Sequence, residues 1–189
     1  GEYREIVLTT MRSLAIAVLI GLIIFCLSYP ILNAIDYFFS PSAETQVLIN
    51  KYITIRLFSA PSELILYVLT GFYLGLQKTS ISSLMVSLFC FINILLSIYF
   101  VLILNLDIEG VALGTVLSSY ITVIIFLIFT YFFVKKEFNL TPDLKKIFIR
   151  KKFSKLFNIN FDIFVRTILI TFAFLWFTYQ SSKLGEDLL

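Results

Sequence analysis

Long apolar stretches separated by short polar breaks make up most of the chain. A helix that crosses a bilayer needs about 20 mostly apolar residues, and the chain contains five stretches of about that length. Pro30 interrupts the first, and the segment ILNAIDYFF after it is predicted as a helical extension into the interface. We therefore predict an all-α integral membrane protein with about five transmembrane helices, at about residues 6–28, 51–76, 81–104, 111–134 and 161–179.

The composition agrees with a lipid environment. Of the 189 residues, 59% are hydrophobic and 14% are charged, whereas a soluble domain is about 45–50% apolar and 25% charged. A compact core cannot bury so many apolar side chains, so we expect the lipid bilayer to solvate most of them. The chain begins at Gly1 without an initiating Met and stops after KLGEDLL without a polar tail, which favours an internal piece of a larger membrane protein.

A basic segment between the fourth and fifth predicted spans indicates the orientation. Residues 135–155 contain eight Lys or Arg and two acidic residues, a balance of +6. Positively charged loops stay in the cytoplasm, so we expect this loop and Lys78 inside, and Asp107 and Glu186 outside. Apolar residues at helical spacing among its lysines predict an amphipathic helix in the membrane interface. This helix is expected to contact lipid headgroups or, as the commoner case, to serve only as a connector.

Polar residues within the predicted spans recur at helical spacing. In the second span they fall on one helix face, at Arg56, Ser59, Glu63, Tyr67 and Thr70. The third and fourth spans carry similar faces, which include Ser83, Ser87, Cys90, Asn93, Ser97, Thr115, Ser118, Ser119 and Thr122. Polar groups in a span usually face other helices or a water-filled cavity, so three such faces predict a hydrated cavity. For the small residues, the alternative is close helix packing alone.

Glu63 is the most informative of these residues, because an ionised carboxylate at the centre of a membrane helix costs about 2.5–3.5 kcal/mol. One interpretation is a structural ion pair with Arg56, although a separation of seven residues places them about 10.5 Å apart along a straight helix. The other is a coupling carboxylate that takes up and releases a cation as the cavity opens and closes, because burial disfavours its charged form and Arg56 favours it.

Motifs of catalysis are missing from the sequence. Histidine is absent, and we find no catalytic triad, glycine-rich phosphate loop or metal-ligand spacing in or beside the spans. Cys26 and Cys90 lie inside apolar runs and are interpreted as packing residues. We therefore expect no enzyme, no metal, no cofactor and no nucleic-acid partner.

Several segments resemble the multidrug and toxic compound extrusion (MATE) transporters, especially their DinF-type branch. The segment YITIRLFSAPSELILYVLTGFYLGLQKTS is similar to the family's fourth helix. It carries the family's Arg at Arg56, its Ala-Pro at Ala60 and Pro61, and its Gly-x-x-x-Gly-x-Gln run at residues 71–77.

Two later segments continue the resemblance in order. FINILLSIYFVLILNLDIEGVALGTVLSSY is similar to the fifth helix, short loop and sixth helix, with the family's Gly-x-Ala at Gly110 and Ala112. NINFDIFVRTILI is similar to the start of the seventh helix, where the matching polar residues are Asn160, Asp162 and Arg166.

The resemblance implies a fold of twelve helices in two six-helix lobes. On that map, residues 1–134 hold the third to sixth helices, which belong to the N-terminal lobe. Residues 135–160 are the basic cytoplasmic loop between lobes, with its amphipathic helix. Residues 161–189 are the first helix of the C-terminal lobe.

The resemblance also implies a function. The family exports organic cations or other amphipathic toxic compounds as secondary antiporters, coupled to a proton or sodium gradient rather than to a cofactor. Partners would be the lipid bilayer, a small-molecule substrate and the missing remainder of the transporter chain, in the bacterial cytoplasmic (inner) membrane. One alternative is a flippase for lipid-linked oligosaccharides. That function predicts more cationic residues facing the cavity than the single Arg56. Another is a structural membrane subunit without transport activity.

The family's cation site is only partly matched. Its N-lobe cavity holds carboxylates on the first and fifth helices. On the fifth helix the family's amide matches Asn93, but its acid four residues later is Ser97 here. We therefore predict a cavity that uses a different carboxylate and is lined by Glu63, Tyr67, Asn93, Ser97 and Thr115. Further polar residues with structural roles are predicted at Arg56, Asp162 and Arg166.

Overall fold

The structure is a computed structural model, and it describes residues 2–39, 43–138, 161, 163–174, 176, 177 and 180. The chain divides into two compact units, Gly1–Asp143 and Leu144–Leu189.

Helices make up the described part of both units. The first unit contains α1 Glu2–Cys26, α2 Ser28–Phe39, α3 Ala43–Leu57, α4 Ala60–Gly75, α5 Thr79–Ile98 and α6 Asp107–Phe138. A π-helical turn, Tyr99–Ile103, continues α5. In the second unit, Ile163–Phe174 forms a shorter apolar helix, α7. The prediction of an all-α membrane protein is confirmed.

Three described helices are long and apolar enough to cross a bilayer, namely α1, α5 with its π-helical turn, and α6. α3 and α4 meet the requirement only together, with a 52° bend between them. The span predicted over 51–76 therefore consists of two helices with a bend between them rather than one straight helix. Pro61 lacks a backbone N–H and restricts the residue before it, and α3 ends four residues earlier, at Leu57.

Two predictions fall largely outside the described residues. Of the fifth predicted span, 161–179, the structure describes α7 and a few neighbouring residues. α6 continues through Lys135 and Lys136 to Phe138, and residues 139–160, where the amphipathic helix is predicted, lie outside the description. The amphipathic helix and the three domain boundaries stay predictions.

The first unit is held together by α1 packed along α4 and by α5 packed along α6, while α3 and α4 also contact α6. A shared cluster of buried apolar side chains lies where these helices meet, and it includes Val7, Leu66, Leu69, Phe72, Tyr73, Met85, Val123, Phe126 and Val134. Many large apolar side chains on the outer faces are exposed, among them Leu102, Leu84 and Phe132. That distribution fits helices that face lipid on one side and each other on the other.

Glycine allows two of these helix contacts to be close. A Cβ on Gly114 of α6 would lie 2.9 Å from the backbone nitrogen of Ser97 in α5. A Cβ on Gly21 of α1 would overlap the backbone of Pro61 in α4. Small residues let membrane helices approach closely, so these two positions bring α5 against α6 and α1 against the start of α4.

Buried hydroxyls form a polar layer between α4 and α6. Ser62, Ser118, Ser119 and Thr122 are all fully buried. Ser118 and Thr122 donate to carbonyls of α6, while Ser62 and Ser119 lie within hydrogen-bond distance of Ser59 O and Val116 O and of each other, so one hydroxyl of the pair donates to the other. Ser62 Oγ also lies 2.6 Å from Ser119 Oγ across the interface. At the other end of the contact, Tyr73 Oη lies 2.7 Å from Thr130 Oγ1. For these hydroxyls, the packing interpretation accounts for the pattern.

Candidate functional site

The site is built at the break between α3 and α4. Phe58 and Ser59 form a turn in which the Phe58 N–H donates to Ile55 O at 3.1 Å and the Ser59 N–H donates to Arg56 O at 3.0 Å. The helix axis then changes direction by 52°. A straight helix would hold Arg56 and Glu63 about 10.5 Å apart along its axis, and here their side chains meet across the bend.

Arg56 and Glu63 form an ion pair across the break. Arg56 Nη1 contacts Glu63 Oε1 and also donates to Ser59 Oγ. Ser59 Oγ in turn donates to Arg56 O at 2.7 Å, and the Tyr52 side chain lies beside the guanidinium. The ion pair with Arg56, which was one of the two interpretations of Glu63, is therefore formed. Ser59 and Tyr52 also contact the guanidinium of Arg56.

The ion pair is only partly buried. The Arg56 side chain is 30% exposed and the Glu63 side chain 23% exposed. Both border a cleft of about 340 Å³ between α4 and α5, which is lined by Arg56, Glu63, Leu66, Tyr67, Thr70, Met85, Val86, Phe89 and Cys90. Ligand pockets of about 300–1,000 Å³ with mostly apolar walls and a few polar groups are typical of small-molecule sites. This cleft suits an amphipathic ligand whose charged group reaches Glu63.

The predicted cavity residues are divided between two places. Glu63 and Tyr67 border the cleft, and Tyr67 is 70% exposed. Asn93 and Thr115 meet in the interface of α5 and α6, where Asn93 Nδ2 donates to Thr115 Oγ1 at 2.9 Å. Of the other four predicted residues, the structure thus brings only Tyr67 to the cleft that Glu63 borders.

Ser97 lies further along the interface of α5 and α6. Its Oγ is 2.5 Å from where a Cβ on Gly114 would stand. The same oxygen is buried and has no hydrogen-bond partner among the described residues. Ser97 therefore replaces the family's acid with a small side chain that fits a close helix contact.

The two predicted polar residues of the seventh helix belong to the second unit. Arg166 lies on α7 and is exposed. Asp162 lies outside the described residues. The structural roles predicted for both stay predictions.

Sequence reasoning missed several residues of the site. Met85, Val86 and Phe89 supply most of the apolar wall on α5, and their spacing along one helix face is the signal that identifies them. Tyr52 was also missed. It lies one helical turn before Arg56 on α3, and its contact with the guanidinium depends on the direction that the Arg56 side chain takes. The Ala60-Pro61 pair was noticed only as a family motif, although it also marks the break.

Further ion pairs lie outside the cleft. Lys51 Nζ is 2.9 Å from Glu109 Oε1, which joins α3 to the first turn of α6. Arg12 is 1% exposed and its Nη1 lies 3.9 Å from Glu5 Oε2 within α1. No group of three or more His, Cys, Asp or Glu that could hold a metal ion occurs among the described residues.

Comparison with known proteins gives a family and several relatives. The family model described as MatE matches residues 1–100. DNA damage-inducible protein F of Escherichia coli strain K12 is 28% identical over 181 residues, which cover 96% of this chain and 39% of the relative.

Two Staphylococcus relatives carry the same printed name. The multidrug export protein MepA of Staphylococcus haemolyticus strain JCSC1435 is 28% identical, and that of Staphylococcus aureus strain bovine RF122/ET3-1 is 25% identical, each over 155 residues. Those residues cover 82% of this chain and 34% of each relative. The chain thus spans about two fifths of the first relative and one third of the other two, and no solved structure matches it.

Proposed function

Since the chain belongs to the MatE family, we propose that it forms part of a transporter that exports amphipathic toxic compounds across the membrane. It is an integral membrane protein of the bacterial cytoplasmic membrane, and a transport protein rather than an enzyme. Relatives named as multidrug export proteins support export as the activity. The substrates proposed here are organic cations with an apolar body.

The observation that carries this proposal is the cleft beside Glu63. One carboxylate stands at a wall that is otherwise largely apolar, with Phe89 and Tyr67 as its aromatic members. A cation above an aromatic ring is attracted by about 0.5–2 kcal/mol, and a carboxylate adds a charge-assisted contact. An organic cation therefore finds a charge partner and an apolar surface in one place.

We also propose that export is coupled to the inward movement of protons or sodium ions, and that Glu63 takes part in the coupling. A carboxylate that is partly exposed in one state of the transporter and enclosed in another can bind and release a cation in turn. Asn93, Ser97 and Thr115, which were predicted to line the cavity with Glu63, lie in the interface of α5 and α6 and have no part in this proposal. Tyr67 is proposed to contact the substrate.

Glu63→Gln tests the proposal, since it removes the charge and keeps nearly the same shape. In vesicles that contain the full-length protein, ethidium export driven by an imposed proton or sodium gradient should fall at least about tenfold, the effect of losing one charge-assisted contact. Export should also become insensitive to the size of the gradient. Expression level and elution volume should stay near those of the unaltered protein.

Glu109→Gln is the matched control, because it removes a carboxylate that is also paired with a cation but lies outside the cleft. Its ethidium export should stay within about twofold of the unaltered protein, since exposed ion pairs contribute little. Gradient-dependent export that survives in Glu63→Gln at the level of Glu109→Gln would refute the coupling role of Glu63.

The cleft does not favour the alternative function of an oligosaccharide flippase. A diphosphate-linked sugar needs several cations, and Arg56 is the only cation among the residues that line the cleft. Its guanidinium is also already paired with Glu63. The names of the relatives likewise favour an exporter over a structural subunit.

A further inference from the structure

We propose that Arg56 is a tethered counter-cation: it occupies Glu63 when the cleft is empty and is displaced when a monovalent organic cation binds. This inference rests on the proposed function and specifies how its substrate is recognised. The Arg56 guanidinium and the Glu63 carboxylate both border the cleft. With exposures of 30% and 23%, both side chains can be reached by a competing cation from within it.

The contacts around Arg56 reduce the free-energy cost of displacing its guanidinium from Glu63. Besides Glu63, its guanidinium has Ser59 Oγ as an acceptor and the Tyr52 side chain beside it. A guanidinium carries five N–H donors, so it keeps hydrogen-bond partners after the carboxylate is taken by a ligand. Its flexible aliphatic stem allows a small swing toward Tyr52 without any change in the backbone.

The same contacts explain why the empty cleft needs a resident cation. An unpaired carboxylate inside a membrane protein is strongly disfavoured, and an exporter must return to its starting state with no substrate bound. Arg56 lies seven residues from Glu63 and reaches it across the break between α3 and α4. Arg56 therefore neutralises the charge of the Glu63 carboxylate when no substrate is bound.

This arrangement predicts which ligands the cleft prefers. Glu63 can release Arg56 in exchange for one positive charge on the ligand. A second positive charge on the ligand would have no carboxylate partner among the residues that line the cleft and would be repelled by the displaced guanidinium. The remaining wall is apolar, with Leu66, Met85 and Phe89 among its members. The favoured ligands are therefore singly charged organic cations with an aromatic or aliphatic body.

A simpler role for Arg56 would be to hold α3 and α4 together at the break. That role predicts a looser cleft and weaker binding of every ligand when Arg56 is removed. A tethered competitor predicts tighter binding of cations when Arg56 is removed. The reason is that the apparent affinity of a ligand equals its intrinsic affinity multiplied by the fraction of time that its site is free. The direction of the change therefore separates the two roles.

The test measures binding of ethidium, a singly charged cation, and of Nile red, a neutral dye, to the full-length protein in detergent at pH 8. Arg56→Gln should bind ethidium about tenfold more tightly if Glu63 is free about one tenth of the time in the unaltered protein. Nile red affinity should not change. Arg56→Lys retains the competing charge and should stay within about threefold for both dyes.

Glu63→Gln should bind ethidium about tenfold or more weakly, because a charge-assisted contact is lost. The double variant Arg56→Gln/Glu63→Gln should match Glu63→Gln, since no carboxylate remains to compete for. Tyr120→Phe is the structural control: Tyr120 Oη donates to Phe58 O at the break at 2.9 Å, outside the charged pair. It should leave ethidium affinity within about twofold, as a single peripheral hydrogen bond contributes little.

Ethidium affinity that is unchanged or weaker in Arg56→Gln would overturn the tethered role, as would an equal gain in Tyr120→Phe. If Arg56→Gln does not fold, Arg56→Met, which keeps the aliphatic stem, takes its place with the same expected gain. Failure of the proposed function would look different: Glu63→Gln would then bind and export ethidium as the unaltered protein does, whatever the Arg56 variants show.

Discussion

Arg56 and Glu63 show how two charges are accommodated in a segment that is otherwise apolar enough to lie in lipid. Either charge alone would cost about 2.5–3.5 kcal/mol at the centre of a membrane helix. Their contact, with Ser59 as an additional acceptor, offsets that cost. Both side chains remain partly exposed to the cleft, which is what the proposed exchange of Arg56 for a ligand cation requires.

A second contact at this scale is the hydroxyl pair Ser62 and Ser119, 2.6 Å apart between α4 and α6. We predict that Ser62→Ala and Ser119→Ala will show a coupling free energy of about 0.6 kcal/mol in a double-mutant cycle, the average for hydrogen bonds between membrane helices. Unfolding of the chain by sodium dodecyl sulfate in mixed micelles provides the measurement. Strictly additive effects of the two substitutions would show that the hydroxyls do not stabilise the interface.

Close helix contacts set the geometry of the elements. α5 approaches α6 where Gly114 faces Ser97, and α1 approaches α4 where Gly21 faces Pro61. The first contact holds α5 against α6 and the second holds α4 against α1, while α4 also contacts α6. The shape of the cleft therefore depends on residues that do not line it.

Gly114→Ala tests this dependence. The added methyl group would lie 2.9 Å from Ser97 N, so we expect a destabilisation of about 1–3 kcal/mol, as for other overpacked contacts. Gly71→Ala is the matched control, since its Cβ meets nothing within 4 Å, and it should change stability by less than about 0.5 kcal/mol. A thermal unfolding scan of both variants of the 189-residue chain checks this, and equal melting temperatures would contradict the close contact.

The elements could be predicted from the sequence more fully than the site. Apolar length alone predicted α1, α5 and α6, because a bilayer imposes one length on every spanning helix. The break before Pro61 was missed, since proline near the start of a helix and proline that interrupts a span look alike in one sequence. The contact of Arg56 with Glu63 was one of two interpretations that the sequence left open. The separation of Asn93 from the cleft and the wall formed by Phe89 depend on helix packing, which one sequence does not give.

At the scale of the whole molecule, the charge distribution predicts the orientation. The +6 balance of residues 135–155 should resist translocation, since positively charged loops stay inside. A single cysteine at position 146 of a protein without other cysteines should be labelled by a membrane-impermeant maleimide only after the cells are broken. A cysteine at position 107 should be labelled in intact cells, and labelling of position 146 in intact cells would contradict the orientation.

The central claim is that an exported cation binds in the cleft between α4 and α5, and Cys90 provides the most direct measurement. Cys90 lines this cleft and is exposed, whereas Cys26 lies on α1 away from it. In a Cys26→Ser variant of the full-length protein from which any cysteine outside this chain has also been removed, N-ethylmaleimide should label Cys90 about tenfold more slowly with ethidium at ten times its Kd, when roughly 90% of sites are filled.

The control is the Cys90→Ser variant, in which labelling of Cys26 should proceed at the same rate with and without ethidium. Adding Glu63→Gln to the Cys26→Ser variant should abolish the protection of Cys90 at the same ethidium concentration. If Cys90 is instead labelled at one rate with and without ethidium while the protein still exports the dye, the exported cation binds elsewhere and the account is wrong.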